Sequence, residues 1–279
     1  MRQRLVLKYI RTKFRFLSII SKRKAAREAF NLFCTPQYRN KKNPPRIFEQ
    51  AEKVNFRFEN YMIKGYRWNG AGSKKILILH GFESSVVNFD PFVKPLIMKD
   101  YSVLAFDAPA HGASSGNRIN ALIYKKFINK INDQYGPITN FISHSLGGLA
   151  LSLSLEEKSH DDTFRVVFIA PATETTTAVN SFFEYLKLDH KLRKAFDRHI
   201  EKIDTHMPEW YSVSRAAKNI KARVLWFQDK DDTMTPMSDV IPIIEKNYPN
   251  FEFVITEGLG HRRIYRDNKV KKAIIEFFK

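Results

Sequence analysis

The residue of this sequence that is best suited to catalysis is a serine between a predicted strand and a predicted helix. Residues 143–148 read Ser-His-Ser-Leu-Gly-Gly and separate the apolar run 138–144 from the helical run 146–157. A serine on a sharp turn from strand to helix is held clear of the backbone, and small neighbours let the turn close without clashes. The first amide of the helix then donates toward developing negative charge. The segment therefore predicts a nucleophile at Ser145.

A serine nucleophile needs a histidine as general base and a carboxylate that orients the histidine. Both residue types occur later in the chain, each directly after a predicted strand. Residues 228–236 follow the strand at 223–228 and include three aspartates, and Gly-Leu-Gly-His ends at His261 after the strand at 251–256. Any of the three aspartates can serve as the acid by type and position. They are Asp229, Asp231 and Asp232.

A second amide donor is predicted upstream. His80, Gly81 and Phe82 follow a run of four consecutive aliphatic residues at 76–79, which is typical of a buried strand. An amide at the end of such a strand can donate to the oxygen of a tetrahedral intermediate. The predicted oxyanion hole consists of the backbone amides of Phe82 and Leu146.

The elements that must position these residues alternate along the chain. β-rich runs and helical runs follow one another, which predicts an α/β fold with a mostly parallel sheet and helices on both faces. The predicted strands are 54–58, 61–68, 75–80, 101–107, 138–144, 164–170, 223–228 and 251–256, and the main predicted helices are 121–135, 146–157, 239–247 and 269–278. Residues 173–220 interrupt this order with helical stretches at 181–188 and 191–203, which predicts an inserted helical cap.

The combined motifs give a family resemblance. From about residue 50 to residue 279, the sequence resembles the α/β-hydrolase superfamily, in particular small bacterial esterase-like and serine-aminopeptidase-like hydrolases. The matching motifs are 80–82, 106–114, 143–148, 229–232 with Pro236, and 258–261. Ser143 departs from the family pattern, which has glycine there. The resemblance implies the α/β-hydrolase fold.

The same resemblance implies a triad of Ser145 as nucleophile, His261 as base and Asp232 as acid, because relatives place the acid four residues before a proline. Asp231 and, more remotely, Asp229 remain alternatives for the acid. The family uses residues such as His80 and His111 to shape loops, and His144 is expected to line the pocket or pack. No metal ion and no organic cofactor is implied.

The implied function is hydrolysis of carboxylic esters by a serine hydrolase, with a small ester or acyl compound as substrate. An ester with an apolar part is the leading hypothesis, and a lipid-derived ester is a special case. The cap offers apolar side chains that either line the substrate site or form the cap's own core: Phe182, Phe183, Tyr185, Leu186 and Leu188. The alternatives are an amidase or peptidase with the same triad, and a non-catalytic binding protein of the same fold associated with membranes.

The basic residues are concentrated at the start of the chain. The net charge is +18, and residues 1–42 contain 13 Lys or Arg against one acid, Glu28. Apolar residues recur there at roughly helical spacing between the basic ones, which predicts a basic amphipathic helix. Its apolar stripe is formed by Leu5, Tyr9, Ile10, Phe14, Leu17 and Ile20. Two interpretations remain open: the helix contacts an anionic membrane, or it packs on the catalytic domain. Nucleic-acid binding is not favoured, because no recognition motif accompanies the charge.

Three segments are therefore expected: a leader at 1–45, a core at 46–172 and 221–279, and a cap at 173–220. Cys34 is the only cysteine, which excludes an intramolecular disulfide and CxxC metal or redox sites. The chain has no signal-peptide pattern and no apolar run of the ~20 residues that a bilayer requires. We expect a cytoplasmic protein, or one peripheral to the inner face of the membrane.

Overall fold

The computed structural model describes residues 2–40 and 42–278. They form two compact units, each made of two separate segments of the chain. The first unit comprises Met1–Thr35 and Glu174–Tyr211, and the second comprises Pro36–Thr173 and Ser212–Lys279. The N-terminal helices and the helices of Glu174–Tyr211 thus belong to one unit.

The second unit is built on an eight-stranded sheet in the order β1-β2-β4-β3-β5-β6-β7-β8. Its strands are β1 (Glu52–Phe58), β2 (Tyr61–Trp68), β3 (Lys74–Leu79), β4 (Tyr101–Phe106), β5 (Asn140–His144), β6 (Arg165–Ile169), β7 (Arg223–Asp229) and β8 (Phe251–Thr256). β1 and β2 form an antiparallel hairpin and β2 is antiparallel to β4, whereas the pairs from β4 to β8 are parallel. The predicted α/β fold with a mostly parallel sheet is confirmed.

Helices cover both faces of this sheet, and alternate strand residues supply the two apolar layers. Ile76 and Ile78 of β3 join one buried cluster with residues of the helices α3 and α11, such as Phe92 and Ile274. The helices of this unit are α3 (Asp90–Ile97), α4 (Ala121–Tyr135), α5 (Leu146–Glu157), α8 (Val213–Ala217), α9 (Met237–Glu245), α10 (Gly260–Arg263) and α11 (Asn268–Phe277). α4 packs on α5, which packs on α8. The central strands are therefore buried, and their carboxyl ends carry the predicted site residues.

The first unit is helical. It contains α1 (Arg2–Ile20), α2 (Lys22–Phe33), α6 (Thr175–Leu186) and α7 (His190–Asp204). α2 packs on α1 and on α7, and α1 also contacts α6. Ser21 separates the first two helices, because its hydroxyl accepts a hydrogen bond from the Lys24 amide and caps α2.

An aromatic cluster forms the core of the first unit. Ring centroids of neighbouring members lie 5.2 to 6.3 Å apart. The members are Phe30, Phe33, Phe182, Phe183 and Phe196. Three of them belong to Glu174–Tyr211 and two to the N-terminal segment. Phe182 and Phe183, which were expected either to line the substrate site or to form the cap's core, thus lie in the core of this unit. Within the described residues, no helix is long and apolar enough to span a membrane.

Replacing Phe196 by Ala is expected to destabilise the first unit, because its ring is fully buried in the aromatic cluster. Removal of a buried phenylalanine ring costs about 3–5 kcal/mol of unfolding free energy. Urea unfolding of the full chain, followed by circular dichroism, measures the effect. Phe16→Ala is the matched control, since Phe16 is 67% exposed, and its transition is expected to stay close to that of the wild type. Equal transitions for the two variants would contradict this packing.

Candidate active site

Ser145 lies on a strained turn between β5 and α5. Its backbone has φ 53° and ψ −122°, a conformation that residues other than glycine rarely adopt. Two backbone hydrogen bonds hold it there: the Ser145 amide donates to the carbonyl of Ile169 at 3.2 Å, and its carbonyl accepts from the Ala172 amide at 3.0 Å. The loop after β6 therefore fixes the turn, and Ser145 is 8% exposed.

Glycines allow neighbouring segments to approach this turn. A Cβ atom added at Gly81 would lie 2.8 Å from the Ser145 Cβ, and one at Gly147 would lie 2.8 Å from the His80 carbonyl oxygen. Both distances are below ordinary van der Waals contact, so a larger residue would push the loop after β3 away from the turn. Ser143, which stands where relatives have glycine, fits because its buried hydroxyl donates to the carbonyl of Val167 at 3.0 Å.

His261 is paired with Asp232. The His261 Nδ1 atom lies 2.7 Å from Asp232 Oδ2, and both side chains are largely buried. Asp232 also accepts hydrogen bonds from the Thr235 hydroxyl at 2.7 Å and from the amides of Met234 and Thr235 at 2.8 and 2.9 Å. Burial alone would raise the pKa of Asp232, but the hydrogen bond and charge of His261 and the contacts from Thr235 lower it below its usual value. The ionised carboxylate is thus favoured beside the imidazole.

The other two aspartates bind backbone instead of the histidine ring. Asp229 accepts from the amides of Leu259 and Gly260 at 3.1 and 2.8 Å. Asp231 accepts from the Gly258 amide at 2.9 Å. These bonds hold the loop that carries His261, whereas Asp232 contacts the ring itself.

His144 connects the serine turn to the histidine loop. Its Nε2 atom lies 3.0 Å from the carbonyl oxygen of His261, which can only accept, and the two rings are 4.7 Å apart. Burial and the nearby His261 lower the pKa of His144 to about 3, so the ring is neutral with its proton on Nε2. The expectation that His144 packs is met by these contacts. Because His144 precedes Ser145, they place His261 next to the serine turn.

The hydroxyl of Ser145 itself is not hydrogen-bonded to His261 within residues 2–40 and 42–278. Such bonds between nucleophile and base are often long in structures without substrate. Across the same residues, the Phe82 and Leu146 amides donate to no protein acceptor. Leu146 is the first residue of α5, where backbone amides lack partners within the helix.

Two buried histidines support the loop that contains Phe82. His80 Nε2 accepts from the Ala108 amide at 3.0 Å, and His111 Nε2 accepts from the Glu83 amide at 2.9 Å. Burial lowers the pKa of His80 to about 3 and that of His111 to about 4, so both rings are neutral acceptors. Both side chains thus shape a loop.

Thr235 is the site residue that the sequence analysis did not identify. Its hydroxyl bonds to Asp232 and lies 3.3 Å from His261 Nδ1. The signal for it was its place one residue before Pro236, but many threonines occupy turns of this kind. Elsewhere, the described residues contain no cluster of three or more His, Cys, Asp or Glu side chains suited to a metal ion.

A family model described as serine aminopeptidase, S33 (Hydrolase_4), matches residues 71–223, which is more than half of the chain. The chain belongs to this family. A search of the curated proteins gave no match for this S33-family hydrolase.

Solved structures of other hydrolases share the fold of this S33-family protein. The esterase PF2001 of Pyrococcus furiosus aligns with a TM-score of 0.65 at 22% identity over 88% of this chain and 97% of that one. Est1E of Butyrivibrio proteoclasticus, with ferulic acid bound, aligns with a TM-score of 0.63 at 17% identity, over 81% of this chain and 97% of that one. Mouse α/β-hydrolase domain-containing protein 10 aligns with a TM-score of 0.57 at 16% identity, over 82% of this chain and 97% of that one. At these identities the likeness shows the α/β-hydrolase fold.

Asp232 and Asp231 are expected to differ in their effect on hydrolysis. The expected triad predicts that Asp232→Asn lowers turnover by about 10⁴-fold, because the substitution removes the charge beside His261. Asp231→Asn is the matched control, and its effect is expected to stay below about tenfold, because the Asp231 carboxylate accepts from the Gly258 amide whereas Asp232 contacts the His261 ring. The measurement is kcat/KM for p-nitrophenyl butyrate. A larger loss in Asp231→Asn than in Asp232→Asn would contradict the assignment of Asp232 as the acid.

Proposed function

We propose that this S33-family hydrolase cleaves carboxylic esters with Ser145 as nucleophile, His261 as general base and Asp232 as the acid that orients His261. The observation that carries the proposal is the 2.7 Å contact between Asp232 and His261 beside a serine held in a strained turn. Strained backbone at a nucleophile aims the hydroxyl at a substrate instead of at its own helix.

In the proposed reaction, His261 Nε2 takes the Ser145 proton as the serine oxygen attacks the ester carbonyl. Asp232 holds Nδ1 and stabilises the charged imidazole. The tetrahedral intermediate collapses when His261 protonates the leaving alcohol, which leaves an acyl group on Ser145. Water, activated by His261, then attacks the acyl-enzyme and releases the acid.

The amides of Phe82 and Leu146 are proposed to donate to the oxygen of each tetrahedral intermediate. The support is that neither amide has an acceptor among the described residues, and that Leu146 begins α5. A helix N-terminus carries partial positive charge, so it favours an oxyanion at that position. Loss of one donor of this kind typically costs about 10²–10³-fold in turnover.

The proposed substrate class is an ester with an apolar acyl or alcohol part, and a lipid-derived ester is a special case. Two similar structures support ester over amide: the P. furiosus protein is described as an esterase, and Est1E was solved with ferulic acid. A strongly basic N-terminal segment, with 13 Lys or Arg in residues 1–42, supports the lipid-derived case.

Amide hydrolysis is the second candidate, because the family model is described as serine aminopeptidase and the same triad cleaves amides. A comparison of p-nitrophenyl esters with amino-acid p-nitroanilides at equal enzyme concentration separates the two. A higher kcat/KM for the anilides would favour the amidase. A non-catalytic binding protein is the third candidate and predicts no turnover of either substrate set.

A fluorophosphonate probe tests the proposal, because it reacts selectively with an activated serine. We expect labelling of the purified wild-type protein at Ser145, located by peptide mass spectrometry. Ser145→Ala removes the reacting oxygen and His261→Ala removes the base, so both variants are expected to lose labelling. Ser143→Ala is the control for a neighbouring serine and is expected to keep it. Labelling at another serine, or none in folded wild-type protein, would contradict the proposal.

A further inference from the structure

Helix α1 carries apolar residues on two faces whose centres lie about 120° apart around the helix. The inner face packs within the first unit, with Phe14 buried and Ile10 and Leu17 partly buried. The outer face is open to solvent from Leu5 to Ile20. Its main residues are Leu5, Tyr9, Phe16 and Ile20, which are 63%, 70%, 67% and 76% exposed. At about 100° per residue these four fall within about 60° of the helix circumference.

Basic residues border this outer face. Arg4, Lys8 and Arg15 are exposed and fall within about 40° of one another on one side of it. α1 contains no acidic residue. At its end, Lys22, Arg23 and Lys24 open α2 and are also exposed, close in sequence to Ile20.

Two other basic residues of α1 have partners within the unit. The Arg11 guanidinium donates to the carbonyl of Tyr185 at 2.8 Å. The Lys13 ammonium lies 3.8 Å from the Glu28 carboxylate. These contacts hold α1 on its own unit, so the outer face is presented by a docked helix.

The positive charge of residues 1–42 indicates which kind of partner binds the outer face of α1. A second copy of the chain would bring two strongly basic segments together, since residues 1–42 contain 13 Lys or Arg and one acid. Like charges at an interface oppose association. A bilayer with anionic lipids supplies both an apolar layer and complementary phosphates.

We infer that α1 lies in the plane of an anionic membrane surface. Leu5, Tyr9, Phe16 and Ile20 enter the interface, while Arg4, Lys8 and Arg15, together with residues 22–24, meet lipid phosphates. The inference deepens the proposed function, because the membrane is the source of a lipid-derived ester, and it rests on that function only for the identity of the substrate. Binding itself requires no catalysis.

Vesicle cosedimentation tests the inference with full-length Ser145→Ala protein, so that hydrolysis does not interfere. Vesicles of phosphatidylcholine with phosphatidylglycerol are compared with vesicles of phosphatidylcholine alone. We expect binding to the anionic vesicles that weakens as salt rises, and much weaker binding to the neutral ones. Neutralising three basic residues near a membrane surface weakens binding by roughly 100-fold, which is expected for Arg4→Gln/Lys8→Gln/Arg15→Gln. Phe16→Ser/Ile20→Ser is expected to weaken binding by at least about tenfold.

Matched controls come from the second unit. Lys246→Gln/Lys269→Gln/Lys272→Gln removes the same charge from exposed positions, and Met98→Ser removes an apolar side chain that is 78% exposed. Both control variants are expected to bind anionic vesicles as strongly as the Ser145→Ala protein does. Circular dichroism establishes that every variant is folded.

Equal binding of the α1 variants and the controls would overturn the inference, as would absence of binding to anionic vesicles. A dimer in light scattering that Phe16→Ser/Ile20→Ser dissociates would also overturn it and assign the face to a second copy. None of these outcomes bears on fluorophosphonate labelling of Ser145, so failure of the membrane inference is distinct from failure of the proposed hydrolase.

Discussion

The backbone conformation of Ser145 is the constraint on which the rest of the site depends. A residue with a side chain at φ 53° is held against its own preference, so the surroundings must fix it. The loops after β3 and β6 do so, the first by close approach at Gly81 and the second through hydrogen bonds from Ala172 and to Ile169. The loop after β3 also lies close to the start of α5, because a Cβ atom added at Gly147 would be 2.8 Å from the His80 carbonyl oxygen. One turn therefore fixes the serine, the helix terminus and the neighbouring loop together.

The aspartates of the β7 loop divide two tasks that the histidine requires. Asp229 and Asp231 bind backbone amides of the loop before His261 and set its path. Asp232 is left to the imidazole ring, with Thr235 supporting the carboxylate. His144 adds a bond to the carbonyl of His261 from the side of the serine turn. The position of His261 is thus determined by hydrogen bonds from the end of β5 and from residues 229–232.

Much of the fold could be predicted from the sequence, because runs of aliphatic residues alternated with helical periodicity. The alternation gave the order of the strands along the chain and the α/β class. Helix α3 went unpredicted; Pro95 lies inside it, where proline removes a backbone hydrogen bond. The choice of Asp232 depends on loop register, which hydrogen bonds decide and spacing alone does not. The leader was expected to carry one helix; a second, α2, follows it, and both share a core with α6 and α7 through contacts remote in sequence. Packing between segments that are remote in sequence produces no local pattern of residues, so it could not be predicted from the sequence.

In the proposed mechanism, an acyl group is transferred to Ser145 and then to water. The most direct measurement mixes the enzyme rapidly with p-nitrophenyl butyrate, follows nitrophenol release, and quenches the reaction in acid for peptide mass spectrometry. We expect a burst of about one equivalent per chain when deacylation is slower than acylation, and a butyryl group on the peptide that contains Ser145. Nitrophenol release at an undiminished rate by the Ser145→Ala protein, or a butyryl group on a different residue, would show that Ser145 is not the nucleophile.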